Sequence, residues 1–119
     1  MKRLIAAGII FVFVVLISFF GGRLVFKTEK EVTLKISEII KEQNNRNIYE
    51  FKEYWDKQSI ALSFFVNREN IDEIGKNAAK MAAAAQNNDK EEILSAAEEI
   101  KYIIGYITKQ EKLQLLSFS

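Results

Sequence analysis

The sequence predicts an all-α protein, with an N-terminal transmembrane helix followed by a small antiparallel bundle of about four helices. Three observations predict it. A 19-residue run from Leu4 to Gly22 carries no charge, apolar residues recur at helical spacing through the remainder, and the 119-residue chain contains no proline. Average usage of about 5% would supply roughly six prolines. Their absence suits unbroken helices joined by tight polar turns.

The membrane segment comes first in the chain. From Leu4 to Phe20, 13 of 17 residues are Leu, Ile, Val or Phe. At about −0.3 to −0.6 kcal/mol each, these favour insertion by roughly 4–8 kcal/mol. As a helix the uncharged run is about 28 Å long, close to a hydrocarbon core of roughly 30 Å. Leu4, Phe11, Leu16 and Phe20 mark out the span. A buried core helix is the rival explanation, but a helix apolar on every face needs more cover than the remaining residues supply. A cleaved signal peptide would share the Lys2-Arg3 start, yet signal peptidase requires small residues in A-x-A spacing, and Phe19 and Phe20 stand beside Gly21 and Gly22. The chain therefore divides into an uncleaved anchor with its flanks, residues 1–27, and a helical domain, residues 28–119. Lys2, Arg3 and the terminal amine favour a cytoplasmic N-terminus in the cell membrane and an extracytoplasmic domain; Arg23, Lys27 and Lys30 pull the other way.

Four amphipathic stretches follow the span. The first, about 29–43, places Val32, Ile36 and Ile39 on one stripe with Ile40 beside it, and Asn44-Asn45-Arg46 ends it. Asn47 is positioned to cap the second stretch, about 47–67, in which Phe51, Trp55, Gln58, Leu62 and Phe65 form a seam with steps of 4, 3, 4 and 3. Asn70 and Glu73 have the spacing of a capping box and open the third, with Ile71, Ile74, Ala78, Met81 and Ala85 as its stripe. Asn87-Asn88 breaks the chain, and Asp89 with Glu92 caps the fourth, which turns Ile93, Ala97, Ile100, Ile104 and Ile107 inward. Turns of two or three residues force neighbouring helices to run antiparallel. The first stretch can continue the membrane helix past a kink at Gly21-Gly22.

An offset of 42 residues superposes the two αα-hairpins, including Asn47 on Asp89. Duplication is one explanation; a six-heptad offset between unrelated amphipathic hairpins is the other. The run Ala78–Ala85 either admits a close neighbour or reflects helix propensity alone. The ending carries Leu113, Leu115, Leu116 and Phe118, too apolar to hang free, and is expected to fold back over the end of the bundle.

Charge and residue types exclude several functions. After residue 27 the chain holds 13 basic and 16 acidic side chains, a mixed and near-neutral surface rather than the basic patch of a nucleic-acid binder. There is no Cys, hence no lipoprotein anchor or disulfide, and no His, the commonest metal ligand and general base. Di-iron bundles need Glu-x-x-His pairs. A Ca²⁺-loop reading of Asn70–Met81 fails because Ile74 and Met81 occupy ligand positions. Glu91/Glu92 and Glu98/Glu99 fall on solvated faces without a cleft to shift their pKa. No phosphate loop and no activated nucleophile is present. The expectation is a protein that is not an enzyme, has no catalytic or metal site and no cofactor, and takes no small-molecule substrate.

The order of parts resembles the family catalogued as domain of unknown function 4363, small membrane proteins of Gram-positive bacteria. The local match runs Trp55, Leu62, then Val66-Asn-Arg-Glu69-Asn-Ile71-Asp72-Glu73-Ile74. The family's pattern there is an apolar residue followed by His-Glu-x-Leu-Asp-x-Ile; Glu69, Ile71, Asp72 and Ile74 fit it, and Arg68 stands where His is usual. Leu115-Leu116-Ser117-Phe118 resembles the closing segment, which more often has Asn at the position of Leu116. The resemblance implies a fold and an anchor, and no activity.

Two functions remain. One is a membrane-anchored interaction or accessory module whose partners are the lipid bilayer and a protein, a second membrane protein among the options. Tyr49 and Tyr54 project from the second helix away from its seam, and with Leu115 and Phe118 they form the candidate contact surface; self-packing is the bland alternative for the tail. The other is an extracytoplasmic ligand-sensing subunit built on a four-helix bundle. With about three residues before the anchor, such a sensor would have to signal through a complex.

Overall fold

The computed structural model describes residues 2–117, apart from the side chains at 111 and 114–117. They form four helices: α1 (Lys2–Lys41), α2 (Asn45–Leu62), α3 (Arg68–Gln86) and α4 (Lys90–Ser117). Each packs against its neighbours in sequence, and α4 closes the ring against α1. The short turns make the order up-down-up-down. The α1–α2 and α3–α4 turns lie at one end, here the top; the α2–α3 turn lies at the other, the base. The molecule is 66 Å long and 24 Å by 20 Å across, a slim bundle on a long stem.

The four predicted stripes meet in one core. Val32, Ile36 and Ile39 of α1, Phe51, Trp55 and Leu62 of α2, Ile71, Ile74, Ala78, Met81 and Ala85 of α3, and Ile93, Ala97, Ile100, Ile104 and Ile107 of α4 are all buried. Gln58, the polar member of the α2 seam, donates from Nε2 to Thr28 Oγ1 at 3.0 Å, so its amide is partnered across the α1–α2 contact. Thr108 and Asn77 satisfy themselves by donating to carbonyls one turn back, Ile104 O at 3.1 Å and Glu73 O at 2.9 Å. The alanines work as contacts rather than filler. Ala84 and Ala85 on α3 and Ala96 and Ala97 on α4 are buried where those two helices pair.

Four details differ from the sequence reading. First, α1 is one continuous helix through Gly21 and Gly22, so the membrane segment and the first amphipathic stretch are a single element. The division at residue 27 falls inside it, and core packing starts earlier: Gly21, Gly22 and Val25 are already buried. Gly21 is needed for space, since a Cβ there would stand 2.5 Å from Phe65 Cδ1. Second, two caps lie three residues earlier than predicted. Asn44, not Asn47, caps α2 by accepting from Arg46 N at 2.8 Å, and Asn67, not Asn70, caps α3 by accepting from Glu69 N at 3.0 Å. In each pair the first Asn wins because starting there adds almost a turn of backbone hydrogen bonds. Third, α2 ends at Leu62, and residues 63–66 form a turn rather than a last helical turn. Fourth, α4 stays helical to Ser117, so the chain does not fold back over the bundle end within that range.

The remaining cap is as predicted: Asp89 Oδ1 accepts from Glu92 N at 3.2 Å. Before it, Asn88 sits at φ 55°, and the amides of Asp89 and Asn88 reach Ala84 O and Ala85 O. This is the Schellman arrangement, with Asn supplying the left-handed residue usually given by Gly. The shift of the α2 cap to Asn44 also removes the Asn47–Asp89 correspondence from the apparent 42-residue repeat.

Candidate interaction surface

The lower part of α1 is long and apolar enough to cross a membrane, and only 6% of its apolar window is buried. Leu4, Phe11, Leu16 and Phe20 are each between 45% and 78% exposed, on all sides of the helix. At the upper end of this segment the Arg23 guanidinium lies 5.7 Å from the Phe19 ring centroid, a cation–π contact at the point where charge returns to the chain. No described side chain from α2 to α4 covers Leu4–Phe20, so no core-helix role accounts for it.

Among the contact residues expected on α2, the two tyrosines separate. Tyr49 is exposed. Tyr54 does not project outward: it is half-buried against the core, tilted against Phe51 at 6.5 Å between centroids, with Lys35 Nζ 5.1 Å from its ring centroid. Its hydroxyl is buried with no hydrogen-bond partner. Burial, and secondarily the nearby Glu31 carboxylate, push its pKa well above the ordinary tyrosine value. The seam spacing points Tyr54 away from the α2 core line, but the neighbouring α1 covers that side. Leu115 and Phe118, the tail candidates, lie outside the described residues, Leu115 by its side chain.

The outer face of α2 is charged rather than apolar. Arg46–Glu50, Lys52–Asp56 and Lys57–Glu53 pair at i,i+4 with 3.1, 3.1 and 3.5 Å separations, all solvent-exposed. Such pairs contribute about 0.3–0.5 kcal/mol each and leave Tyr49 as an aromatic among ions. Sequence reasoning missed the exposed aromatics of α4, Tyr102 and Tyr106 at 72% and 46% exposure. Their i,i+4 spacing opposite the Ile100–Ile104–Ile107 stripe was legible as a signal.

Among the described residues no three acidic side chains converge to hold a metal. A groove of about 210 Å³ between α3 and α4 is lined by Glu73, Asn77, Lys80, Glu92, Ser95 and Glu99. It mixes both charges and is open to water, and Asn77 within it is already bonded to its own helix. Glu91, Glu92, Glu98 and Glu99 are exposed, as solvated helix faces require.

With this geometry in place, a family model described as a domain of unknown function (DUF4363) matches residues 26–117. No curated protein and no solved structure matches the chain.

Proposed function

The chain belongs to the DUF4363 family, and from that premise we propose that it is a non-enzymatic, membrane-anchored module that acts by docking its helical domain onto a protein partner in the same membrane. One observation carries the reading. A single unbroken helix, α1, bears both the exposed apolar segment and one of the four stripes that form the bundle core. The domain is thus held at fixed height and tilt relative to its anchor. Its core is filled by side chains, which suits work by contact rather than by enclosing a ligand. Confinement to a bilayer raises the local concentration of a co-resident partner, so a small interface suffices.

The exposed aromatics available for that contact are Tyr49 on α2 and the Tyr102–Tyr106 pair on α4. Aromatic anchors of this kind carry a large share of interface energy. In this reading the N-terminus is cytoplasmic and the bundle lies outside the cell membrane.

Photo-crosslinkers placed at Tyr49, Tyr102 and Tyr106 in native membranes test the docking. The expected result is one recurrent protein adduct, lost when Tyr102 and Tyr106, or Tyr49, are changed to Ser while helical circular dichroism is unchanged. Adducts that persist unchanged in those folded variants overturn it. Because the chain has no cysteine, Ser95→Cys and an impermeant maleimide report the orientation: labelling in intact cells is expected, and labelling only after lysis reverses it.

A further inference from the structure

We propose that the base of the bundle is a second membrane-binding surface, seated on anionic lipid headgroups with Ile60, Phe64 and Leu113 inserted beside the α1 span. The inference rests on the reading of α1 as a membrane anchor. Its first support is a contact. Phe65, in the α2–α3 turn, packs on Gly21, in the last turn of the uncharged run. The turn is therefore level with the membrane end of the apolar segment, not raised above it on a stalk. Its neighbour Phe64 is 79% exposed there, and Ile60, one turn earlier on α2, is 68% exposed.

The second support is the length of α4. With 28 residues against 19 in α3, and a tight turn joining them at the top, α4 passes the start of α3 by about nine residues at the base. At 1.5 Å per residue that is about 13 Å, reaching down to the level of the apolar run. Leu113 lies in this overhang and is 58% exposed. Two independent elements thus bring exposed large apolar side chains to the same end of the molecule. Both α2 and α4 pack on α1, so these groups flank the α1 span from two sides.

Charge selects the occupant. Among the described residues, exposed Arg23 and Lys27 on α1, Arg68 on α3, and Lys109 and Lys112 on α4 surround the base and outnumber the exposed Glu69 and Asp72 there, whereas at the top Glu91, Glu92, Glu98 and Glu99 stand among Lys41, Arg46 and Lys90. Apolar side chains flanked by exposed Lys and Arg are the pattern of an interfacial lipid site, where ammonium and guanidinium groups meet phosphates while the apolar groups enter the acyl boundary. A protein partner would not require the surface to sit at this depth.

The absence of native cysteine makes the test direct. Single cysteines at Ile60, Phe64 and Leu113 of the full-length chain, with Phe11→Cys as the span control and Tyr49→Cys as the water control, are spin-labelled and reconstituted in vesicles of phosphatidylcholine and phosphatidylglycerol. Collision with oxygen, which partitions into lipid, is compared with collision with a water-soluble nickel chelate. The expected result is oxygen-dominated relaxation at 60, 64 and 113, resembling 11 and opposite to 49. Nickel-dominated relaxation at 64 and 113 with an oxygen-dominated 11 overturns the docking but leaves the anchor standing. Nickel access at 11 as well overturns the anchor and the docking with it. Protection of 60, 64 and 113 from both reagents means they face protein, and overturns the proposal in favour of self-association.

Discussion

The lower and upper parts of α1 are one helix with two kinds of surface. Between Leu4 and Phe20 the apolar side chains point in every direction, and all of them are exposed. Between Val25 and Ile39 a single stripe of Val25, Val32, Ile36 and Ile39, with Thr28 between, is buried to at most 1% exposure, and outside it stand the partly buried Phe26 and the exposed Leu34. The helix itself does not change; what changes is the angular width of its apolar face. A stripe can be covered by two neighbouring helices, whereas an all-round apolar surface needs a medium. The contrast also explains why the boundary between the two parts is a pair of glycines followed by Arg23. Gly21 admits the Phe65 ring, and Arg23 is the first charge after the span.

Substitutions break this comparison in opposite ways. The largest expected effect is in the bundle. Trp55→Ala removes a 1%-exposed side chain and should cost roughly 3–5 kcal/mol in chemical denaturation, with membrane retention unchanged. Phe11→Arg should do the reverse. It weakens insertion by roughly 3–4 kcal/mol, read as a loss of carbonate-resistant membrane association, while the bundle keeps its helical signal.

A smaller effect sharpens where the bundle begins. A fragment starting at residue 24 should be more stable to urea than one starting at 28, by about 1.5–3 kcal/mol, because Val25 is fully buried. Equal stabilities would return the boundary to residue 27. Next, Asn44→Ala and Asn67→Ala should each cost about 1 kcal/mol, and Asn47→Ala and Asn70→Ala clearly less; the opposite ranking would restore the caps read from sequence.

The smallest effect concerns Tyr54. Its folded pKa is raised, so the protonated phenol is favoured in the folded state. The stability tied to that proton is complete below the ordinary tyrosine pKa near 10 and is lost as pH rises beyond it. Tyr54→Phe should therefore be neutral or slightly stabilising at pH 7, since it deletes an unpartnered buried hydroxyl. Denaturation midpoints of wild type and variant should diverge further above pH 10. Parallel curves there would place the hydroxyl in water.

The stripes were legible in the sequence because periodicity is a property of each helix alone. Ile36, Trp55, Ile74, Met81 and Ile100 could be assigned to a core without knowing what they would touch, and the uncharged run declared itself by length. The caps were only half legible, because Asn44 and Asn47, like Asn67 and Asn70, offer the same chemistry three residues apart. The choice depends on which start lets the helix reach its neighbours. Tyr54 was misplaced for a related reason: its angle from the α2 seam is local, but its cover comes from α1. The candidate surface at the base was invisible, since Phe64, Leu113 and Gly21 are far apart in the chain and become level only through antiparallel packing. What a single helix turns inward is written in its own spacing; what ends up beside what is decided by the register between helices, which no one helix encodes.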